Sequence, residues 1–292
     1  KFLKLTFFLI VSTSYSQIGI TKVKEEKKEE IVYDSLYNFP GKNLEVLIGQ
    51  ELFLKPKSET LIKYGYDNFL KDYKRSFVDK KNIYLKQKDG YNTEYDSIES
   101  KYFKVLDVIR DNYNFFKLLN THNKDTLYYR ISSLSESSFE FIVKGYFEKL
   151  SSTIKNQRFI LKDGIKALND DLPINEMTKE PMFWKVESVT LEDKYYSIVF
   201  NMINDNGEQK TFYKTSVFRS GFTEKEFNAI KEKYPTYYNK ILQGKIAIGM
   251  PKEAVILSWG KPNKINNSSY NEQWVYESQY LYFKDGKLTS FN

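Results

Sequence analysis

Residues 244–262 read GKIAIGMPKEAVILSWGKP, and this stretch predicts a short helix with turn residues at both ends. Gly249 permits the turn that leads into the helix. Pro251 suits the first helical position, where its missing N–H costs no hydrogen bond. Gly260 and Pro262 end the helix, because glycine favours the C-terminal cap and proline cannot continue it. The apolar residues between these turns supply one face for packing.

The elements on either side of this helix complete a small α+β unit. Downstream, Trp274 and Tyr276 share one face of a predicted strand, because side chains alternate along a strand. Asp285-Gly286 then predicts a closing hairpin. Upstream, Thr223 and Glu226 have the spacing of a capping box, which predicts the start of another helix. The sequence therefore predicts a two-helix plus antiparallel-sheet domain over residues 223–292.

The order of these elements resembles the SmpA/OmlA (BamE-like) domain family. The family's pattern is I-x-x-G-M, a short helix with a valine, G-x-P, W-x-Y and F-x-x-G. The matching residues are Ile246, Gly249, Met250, Val255, Gly260, Pro262, Trp274, Tyr276, Phe283 and Gly286. Members are often outer-membrane lipoproteins that help to assemble β-barrel proteins, so the resemblance implies a scaffold that contacts other proteins. It covers residues 244–292 alone. The remainder is similar to secreted proteins of Gram-negative bacteria that have no assigned activity.

The first residues predict export. Lys1 and Lys4 flank the start of an apolar run, Leu5–Val11, and small polar residues follow up to Ser16. This is the layout of a signal peptide over residues 1–16, and the run is too short to span a bilayer. A charged tether would follow over residues 17–30. A buried strand or helix of the folded domain is the alternative. We expect a periplasmic, extracellular or outer-surface location.

The region between tether and C-terminal domain predicts a predominantly antiparallel β protein. Residues 31–162 form a β-rich region of one or two small modules. Residues 163–222 hold an irregular connection and a β-hairpin module, with Asn204–Gly207 as the hairpin turn. The predicted strands are Leu44–Leu54, Lys81–Gln87, Tyr102–Ile109, Asn114–Leu119, Thr126–Ile131, Phe139–Tyr146, Arg158–Leu161, Phe183–Leu191, Tyr195–Ile203 and Lys210–Val217.

A weak internal repeat supports the idea of small β-modules. Leu47–Leu54 aligns with Ile98–Val105, and the segment that starts at Trp184 fits as a third copy. Modules of about 50 to 60 residues, for example SH3-like small barrels, would agree with such a repeat. Chance similarity between strand-rich sequences is the alternative.

Composition excludes several classes of protein. The formal charge is +7, but lysines alternate with acids along the chain and form no dense patch, so we expect no nucleic-acid partner. The chain has no cysteine, which rules out thiolate metal ligands and a cysteine-linked lipid anchor. His122, the only histidine, lies in a turn-like context. No nucleotide-binding glycine motif or G-x-S-x-G occurs. We therefore expect no cofactor and no metal.

Two other functions stay open. A glycan-acting enzyme of the envelope would need two facing carboxylates. Its candidates are Asp170, Asp171, Glu136, Glu140, Glu192 and Asp193. A secreted glycan- or peptide-binding module would use exposed aromatic residues, for which Trp184, Tyr195 and Tyr196 are the candidates. Three Asp-Ser/Thr-aliphatic sites, which start at Asp34, Asp96 and Asp125, match a pattern of bacterial O-glycosylation.

The residues and the resemblance together favour a non-catalytic scaffold. The predicted contact surface consists of Trp259, Trp274 and Tyr276, and the predicted partner is another protein of the cell envelope. No other apolar segment is long enough to cross a membrane, so we expect no membrane span.

Overall fold

Three antiparallel sheets account for the strands that the computed structural model describes. The described residues are 33–174, 182–192, 197–267 and 272–292, and Tyr33–Asn292 forms one compact unit. The predicted signal peptide 1–16 and tether 17–30 lie outside the described residues. The fold class is α+β with mostly antiparallel sheets and a small C-terminal sheet with helices, as predicted.

The first module is a six-stranded sheet. Its strands are β1 Glu51–Leu54, β2 Phe69–Leu70, β3 Tyr102–Arg110, β4 Asn114–Asn120, β5 Thr126–Ile131 and β6 Phe141–Val143. They pair in the order β2-β5-β4-β3-β1-β6. Its short helices are α1 Glu59–Ile62 and α2 Tyr95–Ile98, with 3₁₀ turns at Leu44–Leu47, Lys80–Asn82 and Glu136–Ser138. Buried aromatic rings, Phe69, Phe103, Phe116 and Phe141 among them, fill its core.

The second module is a five-stranded sheet that follows the helix α3, Lys144–Ile154. Its elements are β7 Arg158–Leu161, β8 Phe183–Leu191, β9 Ile198–Asn204, β10 Gln209–Tyr213, α4 Lys214–Ser220 and β11 Gly221–Thr223. The strand order is β10-β9-β8-β7-β11. The predicted hairpin turn is confirmed, because Gly207 has a φ of 84° and its N–H donates to the carbonyl of Asn204.

The described part of the C-terminal module packs three helices on a four-stranded sheet, one more than the two predicted, because a short helix forms between them. Its elements are α5 Glu224–Lys233, α6 Tyr238–Leu242, α7 Lys252–Trp259, β12 Lys264–Asn267, β13 Glu272–Tyr276, β14 Gln279–Lys284 and β15 Lys287–Phe291. The predicted capping box is present at the start of α5. Pro251 is the N-cap of α7 and not its first helical residue, with ψ at 152°. The closing hairpin at Asp285-Gly286 has positive φ at both residues, as an Asn-Gly type turn requires.

The first two modules share one topology. In each, four strands form a meander and a fifth returns beside the first, which is the strand order of an SH3-like small barrel. Gly49 and Asn156 occupy the same place before the first strand, and both have positive φ. The N–H of Gly49 donates to the carbonyl of Val105, and that of Asn156 to the carbonyl of Val186. The register shifts just after Val105 and just after Val186 as well.

The repeat predicted from sequence was therefore aligned wrongly. Leu47–Leu54 and Ile98–Val105 are not two copies, because they contain the neighbouring strands β1 and β3. The true counterpart of Leu47–Leu54 is Ile154–Leu161, and Trp184 corresponds to Phe103. The two modules can share this pairing with little sequence in common, because many apolar residues fit the buried face of a strand equally well.

Several predicted strands end earlier or do not form. Residues 139–146 and 210–217 were predicted as strands throughout, yet helices begin at Lys144 and Lys214. Neither helix has a side-chain N-cap hydrogen bond, so no capping residue in the sequence marks its start. Residues 44–47 form a 3₁₀ turn before β1, and residues 81–87 hold no extended strand. Arg158–Leu161 pairs within the second sheet, so the sheets change at α3 and not at residue 162.

Candidate functional site

A groove of about 800 Å³ lies between the second module and the C-terminal module. One wall is β11 and the end of α4, and the other is the last turn of α7. Its apolar lining includes Phe218, Phe222 and Trp259. Phe218 is 49% exposed although it is a large aromatic residue. An aromatic lining between modules is typical of binding sites, because such rings bury much apolar surface on contact.

The strand β11 is an edge strand that forms part of this groove. It pairs only with β7 among the described strands, and the N–H of Lys162 donates to the carbonyl of Ser220. Because hydrogen-bonded positions alternate in an antiparallel pair, Gly221 and Thr223 direct their backbone groups away from β7. The N–H of Thr223 is taken by the Glu226 carboxylate at 2.8 Å. The outer side of β11 therefore has no neighbouring strand among the described residues, and β11 itself lines the groove.

Lys162 ties the two walls of the groove together. Its Nζ donates to the carbonyls of Leu257 and Ser258 at 2.5 and 3.1 Å, and it lies 5.2 Å from the Phe222 ring. These carbonyls belong to the last turn of α7, where backbone acceptors lack partners within the helix. Burial lowers the pKa of Lys162 below its usual value. The Lys162 side chain therefore links the end of β7 to the last turn of α7 through hydrogen bonds.

The predicted contact residues divide into two cases. Trp259 lines the groove, and its Nε1 donates to the carbonyl of Gly244 at 2.7 Å. Tyr276 packs behind it at 5.4 Å between ring centroids and donates to the carbonyl of Gly260. Burial raises the pKa of Tyr276 to about 12. Trp274 is only 3% exposed and packs against a phenylalanine in the core, so its assignment to a contact surface was wrong.

The predicted carboxylates do not meet in this groove. Asp163 and Glu226 are the acids of its lining, and Glu226 is already held by the capping box. Asp170 pairs with Lys210, whereas Asp171 and Glu136 are exposed. Glu192 is buried elsewhere, and Asp193 lies outside the described residues.

Glu140 is the most perturbed of the predicted acids and belongs to the first module. Its Oε1 lies 3.8 Å from Lys57 Nζ, while its buried Oε2 has no hydrogen-bond partner in the described part of the chain. Burial raises the pKa of Glu140 above its usual value, against the opposing charges of Lys57 and Lys55. Asp67, which is not one of the predicted acids, adds a repulsive charge that raises this pKa further.

The other predicted candidates are dispersed. His122 is exposed, and among the described residues no group of three His, Cys, Asp or Glu side chains is placed to hold a metal ion. Trp184 is 2% exposed, so it forms no aromatic surface, and Tyr195 and Tyr196 lie outside the described residues. Over the same described ranges, no helix has the length and apolar character that a membrane crossing needs.

The three Asp-Ser/Thr-aliphatic sites have different local structures. Ser35 has a left-handed backbone with φ at 60°. Ser97 lies within α2 and hydrogen-bonds to Glu94. Thr126 is the exposed first residue of β5. They share no conformation, so glycosylation at these sites stays a prediction.

Sequence reasoning missed Lys162, Phe218 and Phe222. One signal was available, because Gln157 to Lys162 repeats the pattern of Gln50 to Lys55: a glutamine, apolar residues and a final leucine-lysine pair. A correct alignment of the two modules would have marked Lys162 as the equivalent of Lys55. Phe218 gave no such signal, because it lies in α4, whose first four residues fall in the predicted strand Lys210–Val217.

Comparison with family models, with curated proteins and with solved structures finds no match to this chain. The resemblance of residues 244–292 to the SmpA/OmlA domain therefore stays a prediction.

Proposed function

We propose that this protein is a non-catalytic scaffold of the cell envelope, which holds an extended segment of a partner protein in the groove beside β11. One observation carries the proposal: at the equivalent edge of the first module, the outward backbone groups are already bonded by the side chain of Asn38, which belongs to a distant segment of the chain. There Asn38 Nδ2 donates to the carbonyl of Phe141 at 2.8 Å, and Asn38 Oδ1 accepts from the N–H of Val143 at 2.9 Å. Phe141 corresponds to Gly221, and Val143 to Thr223.

The chemistry of the covered edge suggests what the open edge would accept. An extended peptide that passes β11 can donate a backbone or amide N–H toward the Gly221 carbonyl, as Asn38 does toward Phe141. Apolar side chains of the same peptide would contact Phe218 and Trp259. The groove holds both kinds of contact side by side, which supports a peptide ligand over a small polar one.

The remaining parts of the proposal rest on the sequence. Residues 1–16 have the layout of a signal peptide, so the scaffold would act in the periplasm or at the outer surface. Cell fractionation tests this part, since deletion of residues 1–16 should retain the protein in the cytoplasm. A glycan-acting enzyme has less support, because one of the two acids that line the groove is bound within a capping box.

The test places a photo-crosslinking amino acid at Phe218 in living cells and, as a matched control, at Phe291. Phe291 is 47% exposed and does not line the groove. For a partner that crosslinks at Phe218 but not at Phe291, the crosslinked segment is identified and made as a peptide. The affinity of that peptide for the purified protein is then measured. Phe218→Glu should weaken binding at least about tenfold, because it places a charge against an apolar contact, while Phe291→Glu should not. Equal crosslinking at both positions, or peptide binding that Phe218→Glu leaves intact, contradicts the proposal.

A further inference from the structure

A second concave site lies in the first module and is built from different residues. It is a pocket of about 340 Å³ beside β2, between that strand and the loops that carry residues 77–78 and 91–92. Its lining combines apolar side chains with one arginine, Arg130 of β5. The proposed peptide groove shares none of these residues.

The guanidinium of Arg130 is fixed in place by neutral groups. Its Cζ lies 3.8 Å from the centre of the Phe77 ring and 5.3 Å from that of Tyr113. Its Nε donates to the Asn68 side-chain oxygen at 3.0 Å, and its backbone N–H donates to the Asn68 carbonyl. Stacking and one hydrogen bond thus orient the fork while leaving its Nη atoms for another acceptor.

Most of the other arginines are paired with carboxylates. Arg110 contacts Glu45 at 2.6 Å, and Arg158 contacts two acids. For Arg130, by contrast, no acceptor for either Nη atom and no ion pair occurs within the described residues. An arginine that is ordered, partly buried and without an anion is the group that proteins use to receive a planar carboxylate in a bidentate manner.

Apolar surface adjoins this arginine at the pocket mouth. Val78 is 69% exposed and Tyr91 is 66% exposed, whereas Ile83, which also lines the pocket, is only 4% exposed. Lys80 covers one face of Tyr91, with Nζ 4.1 Å from the ring centre. Exposed apolar side chains beside a positive fork suit a ligand that is apolar in its body and anionic at one end.

One acid also lines the pocket and sets a limit on the ligand. Asp67 is 56% exposed, and its Oδ1 lies 3.9 Å from Lys57 Nζ, so its charge is partly offset and open to solvent. A doubly charged anion would still meet repulsion here, which favours a ligand with a single carboxylate.

We propose that this pocket binds a small organic monocarboxylate with an apolar or aromatic body, whose carboxylate is received by the Nη atoms of Arg130. The body of the ligand lies against Val78, Ile83 and Tyr91. The inference does not depend on the proposed peptide groove.

Titration of the full chain with 3-phenylpropionate, followed by two-dimensional NMR, tests the proposal. The neutral 3-phenylpropionamide serves as the matched ligand. We expect saturable binding of the acid with low-millimolar affinity and shifts confined to the pocket, and at least tenfold weaker binding of the amide. Absence of saturable binding, or equal binding of acid and amide, overturns the proposal.

Two variants identify the pocket residues. Arg130→Lys keeps the charge but loses the fork, so it should weaken binding at least about tenfold, whereas Arg75→Lys at an exposed, acid-paired arginine should not. If Arg130→Lys does not fold, Val78→Glu gives the same information, because it adds a repelling charge at an exposed position. Its matched control is Leu61→Glu, which is 49% exposed and outside the pocket. Unchanged binding in Val78→Glu contradicts the assignment.

Discussion

The first and second modules have the same strand order, and in each the fifth strand, β6 or β11, has outward backbone groups that need hydrogen-bond partners. The two modules supply these partners in different ways. In the first module, Asn38 from a distant segment satisfies the outer edge of β6. In the second, Thr223 satisfies its own N–H through Glu226, three residues ahead in the chain. A local cap makes a covering segment unnecessary, so the second module can leave its edge open beside a groove. The difference shows that two modules with the same strand order can satisfy the backbone groups of one edge either from a distant segment or from within the next helix turn.

The largest expected effect tests whether the two modules fold as one cooperative unit. Phe103 and Trp184 occupy equivalent, fully buried positions, and truncation of either to alanine should cost about 3–5 kcal/mol of unfolding free energy. Leu150 and Ile198 pack against both cores, which should couple them. Urea unfolding followed by fluorescence and circular dichroism should therefore show one transition that shifts in both variants. Two separate transitions, of which only one shifts, would show that the modules are independent.

The next effect compares the two ways of satisfying the edge. Asn38→Ala removes the partners of the Phe141 carbonyl and of the Val143 N–H, and because both residues are buried this should cost about 2–3 kcal/mol. Glu226→Ala removes only the second half of a capping box on an exposed helix start, which should cost about 1 kcal/mol. Both are measured as shifts of the urea midpoint at constant slope. Equal losses of unfolding free energy in the two variants would mean that Asn38 does not stabilise the outer edge of β6 more than a local cap would.

Between about pH 4 and about pH 7, a pH effect on stability should arise from Glu140 of the first module. Glu140 has Ser220 as its equivalent in the second module, since the N–H groups of Lys55 and Lys162 donate to their carbonyls. Burial raises the pKa of Glu140 in the folded state. Its contribution to the free energy of unfolding is therefore fully present below the pKa of the unfolded state and is lost as the pH rises through the pKa of the folded state. Glu140→Gln cannot titrate, so its stability relative to the native protein should improve from about pH 4 to about pH 7.

The control for this pH effect is Glu136→Gln. Glu136 is exposed and lies in the same connection, so Glu136→Gln shows what the loss of an exposed carboxylate near Glu140 does at each pH. Unfolding free energies at several pH values measure both variants. A constant difference for Glu140→Gln would show that its carboxylate titrates alike in the folded and unfolded protein.

The sequence predicts the elements whose signal is local. The capping box at Thr223 and the turns at Asn204–Gly207 and Asp285-Gly286 are present because glycine, asparagine and a hydroxyl cap act within a few residues. The sequence could not predict which strands are neighbours, because β1 pairs with β6 across about 90 residues and nothing local specifies that choice.

The candidate site was predicted only in part for the same reason. Trp259 and Tyr276 follow from the helix and strand that carry them, and the structure does place them together. Trp274 and Tyr276 lie two residues apart on the same face of a strand. The sequence alone cannot tell which of the two is buried in the core and which lies at its edge. Lys162 and Phe222 reach the groove through the packing of separate modules, which no local pattern records.

The smallest expected effect concerns a charge pair that is reversed between the modules. Glu51 and Lys144 pair in the first module, whereas Arg158 and Glu224 hold the equivalent positions with opposite signs. Arg158 also contacts Asp205 at 2.7 Å and lies over the Phe183 ring, so it is the centre of a small network. Arg158→Gln should cost about 1 kcal/mol, and Glu51→Gln, which breaks a single exposed pair, should cost less. Because both pairs are exposed, 0.5 M NaCl should narrow the gap between Arg158→Gln and the native protein in urea unfolding. If salt leaves this difference in unfolding free energy unchanged, the loss comes from packing of the Arg158 stem against Phe183 and not from its charge. The reversal of charge between the modules would then be neutral and would not stabilise the pairing of β6 or β11.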